Sequence, residues 1–385
     1  MGNRQNNTEM KSILAFALAL LVCTGASAQR KGPVNYVFTE ASELNLIGKI
    51  MDGTPNPYHR VDTVIYKGFT SGENTQLRCS AGLAVLFKTD SPSISVKTRY
   101  GYQYAYPLNA TPNSYRGYDL YIKKDGRWAW AGAGSTKYNK STDNVVLVKD
   151  MDASVKECML YLPVYSEVYS VGIGIEEGSH IEAIESPFRH RIAFYGSSYT
   201  QGVSTSRGGM SYPMQFMRAT GLQVLSLGCS GNAKMQPYFA DVLCDVEADA
   251  FVFDVFSNPR ADMIEERLFP FIEKIRAAHP GVPLIFQQTI HRDSRNFNLD
   301  AEKVESDKMR VADSLMRIAV KRYDDVYYII PDASGGKIET QVDGVHPGDY
   351  GYGLWAESIR KPVLKILRKY GIKEDACPLV YKLSI

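Results

Sequence analysis

The sequence predicts an antiparallel β-sandwich followed by an α/β unit built on a parallel sheet. Two patterns carry that expectation. Between residues 58 and 175, short alternating or β-branched runs follow one another, broken by Gly, Asn, Asp or Pro and with no helical stretch between them. After Ser186-Pro187 the chain changes to compact apolar runs that alternate with helix-length stretches. A length of 385 residues fits two such units, since roughly 150 residues make a domain.

The runs at 61–66, 83–88, 93–100, 118–123, 128–131, 145–148, 159–164 and 169–175 are the expected sandwich strands. Each has one apolar face to bury, and two facing sheets bury all of them. In the second half the expected strands are 192–195, 224–227, 250–256, 283–286 and 326–330. They are apolar throughout, as strands covered on both faces must be. Helices are expected at 212–220, 237–244, 263–278, 301–322 and 353–370, and they make the crossovers that keep successive strands parallel. The two units read as 29–187 and 188–385, with the boundary near 185–190.

Residues 1–28 read as a signal peptide. A basic start at Lys11, an apolar run over 13–22 and the small-residue site Ala26-Ser27-Ala28 predict cleavage after Ala28 and a periplasmic or secreted protein. The apolar run is too short for a bilayer span, so no stable membrane insertion is expected. Lipoprotein processing at Cys23 is the rival reading, although Val22 stands where a small residue is wanted. Cys79, Cys158, Cys229, Cys244 and Cys377 remain; they form no C-x-x-C pair, and buried free thiols are expected for most of them. Lys plus Arg total 44 against 42 Asp plus Glu, a net charge of +2, which gives no basic excess for binding nucleic acid.

In an open parallel sheet the reactive groups belong at the carboxyl ends of the strands. The first strand ends in Gly196-Ser197-Ser198-Tyr199-Thr200-Gln201-Gly202, a tight turn that presents a serine hydroxyl and its own N–H to one small space. A serine needs an imidazole to take its proton and a carboxylate to hold that imidazole. Asp343-Gly344-Val345-His346 supplies both, with Asp343 spaced to fold back onto Nδ1 of His346. The second strand leads into Gly228-Cys229-Ser230-Gly231-Asn232 and the third into Ser257-Asn258-Pro259, where a glycine N–H and an Asn amide can meet a developing oxyanion.

Taken together these blocks resemble the SGNH (GDSL-like) esterases and acylhydrolases over roughly residues 188–372. The resemblance implies a flavodoxin-like three-layer α/β/α fold with Ser198 as nucleophile. It also implies Ser198, Gly231 and Asn258 as the oxyanion hole, and Asp343 with His346 as the rest of the triad. Arg116-Gly117-Tyr118-Asp119-Leu120-Tyr121 resembles the GxDLY motif of the β-domain that precedes one bacterial subgroup of these enzymes. Two blocks depart from the family pattern. Ser197 replaces the Asp of the GDS turn, and Ser257-Asn258-Pro259 stands where Gly-x-Asn-Asp is common.

The function expected from these readings is an exported esterase that removes small acyl groups, acetyl first among them, from a carbohydrate. An acylhydrolase or thioesterase on lipid-like or small esters is the alternative within enzymes, and an inactive glycan-binding protein is the alternative outside them. Tyr100, Tyr102, Tyr104 and Tyr106 recur at period two and would share one face of an extended segment, as a sugar platform or as a packing ladder. Trp128 and Trp130 read as core or inter-domain packing, and His291 stands beyond the fourth strand as a candidate substrate contact. The six histidines show no metal-ligand spacing, so neither metal nor cofactor is expected.

Overall fold

The computed structural model describes residues 34–104, 109–138, 140, 143–332 and 339–374. The leader, Tyr106 and Cys377 lie outside the described residues. From Val37 onward the described residues form one compact unit.

Ten strands precede residue 185: β1 (Tyr36–Glu40), β2 (Asn45–Ile47), β3 (Ala84–Thr89), β4 (Ile94–Gln103), β5 (Tyr118–Lys124), β6 (Arg127–Gly134), β7 (Val145–Val148), β8 (Lys156–Tyr161), β9 (Ser166–Glu176) and β10 (Ile181–Ala183). They form a sheet of order β1-β9-β4-β7 and another of order β10-β3-β8-β5-β6, with β2 beside β3. Val85, Phe87, Leu120 and Leu160 of the second sheet meet Val96, Val171 and Ile173 of the first in a sandwich core. The second sheet is also buried on its other side. Alternate residues Ala84, Leu86, Tyr121, Met159 and Tyr161 turn away from the sandwich and join a cluster with Ile192, Met214 and Met217 of the α/β half. One sheet thus serves two cores, which is why β3 is apolar without alternation.

Two expectations fail in this half. The run at 61–66 is no strand, because the Asp62 carboxylate accepts from the N–H groups of Val64 and Ile65 and closes a turn, leaving Ile65 exposed. The stretch thought free of helix holds α1 (Ser71–Leu77), started by a capping box in which Thr70 and Glu73 satisfy each other's backbone N–H groups. A second, one-turn helix, α2 (Pro112–Tyr115), precedes β5.

The α/β half runs β11 (Arg191–Gly196), α3 (Ser198–Gln201), α4 (Tyr212–Thr220), β12 (Gln223–Gly228), α5 (Pro237–Cys244), β13 (Ala250–Asp254), α6 (Ala261–Ala278), β14 (Leu284–Gln287), α7 (Leu299–Arg322), β15 (Val326–Ile329) and α8 (Asp349–Leu367). The sheet order is β12-β11-β13-β14-β15, all parallel. Helices α5, α6 and α7 cover one face through Phe239, Leu268 and Met316, and α4 and α8 cover the other through Phe216, Trp355 and Ile359. The chain winds outward in both directions from β11, so the crevice of this sheet opens at the carboxyl end of β11. Ser197 and Ser198 stand there.

The four described cysteines are free, and burial pushes the thiols of Cys79, Cys158 and Cys229 up to about 12. No helix among the described residues is long and apolar enough to cross a membrane.

Candidate active site

The turn after β11 is shaped from below. A side chain at Gly196 would strike Thr200 Oγ1 at 2.2 Å and Asp254 Cβ at 2.7 Å, so only glycine brings β11 this close to β13. Asp254 ends β13 fully buried. It accepts from Ser197 N (3.1 Å), Ser197 Oγ (2.6 Å), Thr200 Oγ1 (3.2 Å) and Ser257 Oγ (2.5 Å). Burial raises its carboxyl above the ordinary range, and these donors offset part of that. Ser197 therefore points down into the protein at 0% exposure, where its Oγ also accepts from Tyr199 N at 3.2 Å and starts α3. This is the structural content of the Ser that stands for Asp in the GDS turn: a short N-cap tied to a buried carboxylate.

Ser198, one residue on, faces the crevice. Its Oγ lies 2.9 Å from Nε2 of His346, and Nδ1 of His346 lies 2.8 Å from Oδ2 of Asp343. Oδ1 of Asp343 accepts from His346 N (2.7 Å) and Val345 N (3.0 Å), so the loop folds back on itself as the spacing suggests. Partial burial alone would raise the Asp343 carboxyl. The donors from the His346 side chain, the His346 backbone and Asn109 outweigh it and bring the group down to about 2.

Gly231 and Asn258 line the same crevice as Ser198 and His346, a cleft of about 500 Å³. Gly231 has φ 73°, and a Cβ built on it meets nothing within 4 Å, so its backbone borders open space. The loop carrying it is tied down by Gln201 Oε1, which accepts from Ser230 N at 2.9 Å, and by the fully buried Arg60, whose Nη1 donates to Gly228 O at 2.7 Å. Asn258 Oδ1 accepts from Ala233 N at 3.2 Å, which fixes the amide plane at the cleft wall.

The β half closes the other side. Tyr104, Asn109, Ala110 and Tyr165 line the cleft; the Tyr165 hydroxyl bonds Ser230 Oγ, and Tyr104 packs edge-on against Tyr165 at 5.5 Å. The tyrosine ladder does not form as one face. Register shifts after Arg99 and after Tyr100 break the period, Tyr100 turns into the sandwich core with its hydroxyl on Arg116 O at 2.5 Å, and Tyr102 is exposed. Tyr100 is thus a packing residue; Tyr104 alone of the described three reaches the cleft.

His291 does not reach it either. Its Nε2 pairs with Asn296 Oδ1 at 3.2 Å, and the residue lines a separate cavity of about 660 Å³ that holds none of Ser198, His346 and Asp343. Its neighbour Arg292 lines the cleft instead, donating to Tyr199 OH (3.0 Å), Glu305 Oε1 (2.8 Å) and Ser257 O (2.6 Å). Trp128 is partly buried, but Trp130 stays 56% exposed, its Nε1 on Asp119 Oδ1 at 3.1 Å and its ring under Arg207. Asp119, the acidic residue of the Gly117-to-Tyr121 motif, also accepts from Gly209 N at 3.0 Å and pairs with Arg207 at 3.1 Å. Among the described residues no cluster of three His, Cys, Asp or Glu side chains is placed to hold a metal ion.

The family of GDSL-like lipases and acylhydrolases matches residues 189–365, and the N-terminal domain of SGNH-type esterases matches residues 34–181. A crystal structure from Bacteroides ovatus, described as a GDSL-like lipase, is 38% identical with a TM-score of 0.82, over 87% of this chain and 98% of that one. The chain belongs to the GDSL-like lipase/acylhydrolase family. Its fold recurs in the salicylyl-acyltransferase SsfX3 of a tetracycline biosynthetic pathway (19% identity, TM-score 0.67, 88% of this chain and 98% of that one). It recurs again in a family two carbohydrate esterase from Cellvibrio japonicus (12% identity, TM-score 0.58, 87% and 99%). No curated protein matches the sequence. As a family member the chain is an SGNH-type esterase, a carboxylic ester hydrolase preceded by a GxDLY β-domain.

Proposed function

We propose that this esterase is exported and removes small acyl groups, acetyl in particular, from a carbohydrate through a covalent acyl-serine. The observation that carries the reading is the alignment of Ser198 Oγ, His346 and Asp343 at 2.9 Å and 2.8 Å in an open cleft. His346 takes the proton of Ser198 as the oxygen attacks the ester carbonyl, and Asp343 holds the imidazole in the tautomer that accepts at Nε2. The N–H groups of Ser198 and Gly231 and the amide of Asn258 receive the oxyanion. His346 then protonates the departing sugar oxygen to give the free hydroxyl, and water resolves the acyl-serine by the same route.

Three features favour a short acyl group on a sugar. A cleft of about 500 Å³ lies in the lower part of the range for ligand sites, which run to roughly 1,000 Å³. The rings of Tyr104 and Tyr165 on its wall suit a sugar face. Carbohydrate esterases are among the proteins that share the fold. The export reading rests on the sequence of residues 11–28.

The test is acetate release from acetylated polysaccharides by wild type and Ser198→Ala side by side. Acetate from wild type alone supports the reading. Silence on acetylated glycans together with turnover of long-chain esters would move the substrate to lipid-like acyl esters.

A further inference from the structure

The triad residues Ser198, Asp343 and His346 all belong to the α/β half, yet Asp343 has a partner that does not. Asn109, from the loop between β4 and α2, donates from Nδ2 to Oδ2 of Asp343 at 2.7 Å. We propose that Asn109 is a positioning residue for this esterase, by which the N-terminal β-domain completes and holds the Asp343–His346 pair; the proposal rests on the esterase reading above.

The carboxylate's bonding explains why a fourth donor matters. A carboxylate has about four acceptor sites. The 343–346 loop fills three of them, with two backbone N–H groups on Oδ1 and the imidazole Nδ1 on Oδ2. The carboxylate is 30% exposed, so the remaining site on Oδ2 would otherwise fall to water, which would compete with the imidazole and leave the carboxylate plane less fixed. Asn109 fills that site with a neutral donor.

The donor is itself anchored. Two residues on, Thr111 caps α2, and its hydroxyl bonds Ser206 O; Ser114 of α2 bonds Thr205 Oγ1 at 2.7 Å. Ser206 N in turn donates to Asp349 Oδ1 at 2.7 Å, and Asp349 opens α8 three residues after His346. Asn109, Asp343, His346, Asp349, Ser206 and Thr111 therefore close a ring. Its two sides come from different halves of the protein, and a shift of the β-domain loop moves the general base's partner directly.

A loop tether and a positioning residue differ in what they do to His346. Among the described residues, the charged or titratable groups facing His346 are Asp343 on its own loop, Tyr199 of α3 with ring centres 5.5 Å apart, and Arg292 on the cleft wall over Tyr199. Tyr104 of the β half is held neutral, its phenol raised to about 12 by burial.

The experiment titrates His346 by NMR in wild type, Asn109→Asp and Asn109→Ala, with melting temperatures as the folding control. Kinetics with a small soluble ester run in parallel. Asn109→Asp is nearly isosteric and sets a second carboxylate against Oδ2 of Asp343. The two share a proton until the pH passes the raised carboxyl, and the second charge then favours the imidazolium, so the His346 titration and the acid limb of kcat/KM should both move upward and broaden, by about one pH unit. Asn109→Ala should lower kcat about tenfold, in line with other outer partners that orient a functional group, while KM stays within about twofold. An unmoved His346 titration in Asn109→Asp, with kcat of Asn109→Ala within about twofold of wild type, would reduce Asn109 to a tether and overturn the proposal. A wild type that turns over no ester would sink the esterase reading, while the His346 titration would still report whether residue 109 is coupled to the pair.

Discussion

The two halves of the molecule reach one cleft by different routes. The α/β half delivers its groups from the ends of strands and the turns that follow them: Ser198 after β11, Gly231 after β12, Asn258 after β13. The β half delivers Tyr104, Asn109 and Tyr165 from loops that leave a sandwich, and its sheets never touch the cleft. Strand ends are fixed by a parallel ladder with packed helices on both faces, so they hold reacting atoms to a fraction of an ångström. Loops reach further and are held by fewer contacts. The difference teaches a division of labour in which the α/β half supplies the groups of the proposed chemistry, from strand-end turns and the 343–346 loop, and the loops of the β half wall the cleft and orient them.

That division can be broken experimentally, beginning at the strand ends. Replacing Ser198 by Ala should cut ester turnover by about 10³-fold or more, since the remaining oxyanion donors and binding cannot replace the nucleophile. Replacing Asn258 by Ala should cost about 10²–10³ in kcat with a far smaller effect on the melting temperature, because one oxyanion donor is lost and the structural bond given up is a 3.2 Å contact from Ala233 N. Equal turnover in that variant would remove Asn258 from the oxyanion hole.

Away from Asn109 and the cleft wall, the β half should answer with stability rather than with rate. Asp119→Ala strips Arg207 and Gly209 N of a buried acceptor and should cost about 2–3 kcal/mol, read by denaturant unfolding, with the residual folded protein still active. A collapse of kcat at unchanged stability would show the β half taking part in the chemistry itself. The pH profile sharpens the same contrast. Asp343 is lowered to about 2, so it stays ionised from pH 3 upward, and its contribution is lost only as pH falls through that value. The acid limb of kcat/KM should therefore show no break from Asp343 between pH 3 and 5. Smallest of all, Tyr104→Ala should raise KM for a glycan ester several-fold and leave kcat for a small synthetic ester within about twofold, since one ring–sugar contact contributes about 1 kcal/mol.

Much of this was legible in the sequence, for reasons that track the same division. The parallel-sheet strands are continuous apolar runs, and the first three are followed by turns rich in Gly, Ser or Asn, so the Asp343–His346 spacing and the Gly- and Ser-rich turns stood out locally, while the family resemblance singled out Ser198, Gly231 and Asn258. What the sequence hid depends on contacts between distant segments. Asn109 is 234 positions from Asp343, and nothing in its neighbours marks it. Asp254 reads as the polar end of an apolar strand, and its role under Ser197 exists only once β11 and β13 are paired. Arg292 and His291 are adjacent, and which one faces the cleft is set by the bonds of Arg292 to Tyr199, Glu305 and Ser257. The tyrosine period failed because the register between β4 and β9 shifts at Arg99/Tyr100 and again before Gln103, which no alternation count detects. The helix at Ser71–Leu77 was readable after all, since Thr70 and Glu73 have the spacing of a capping box.

The central claim is that the reacting hydroxyl is Ser198, at the end of β11, and that its neighbour Ser197 belongs to the floor. The most direct measurement is intact mass after treatment with a fluorophosphonate, on wild type, Ser198→Ala and Ser197→Ala. One adduct on wild type, retained in Ser197→Ala and absent in Ser198→Ala, is the expected result. An adduct that persists in Ser198→Ala, or that disappears in a folded Ser197→Ala, would contradict the account.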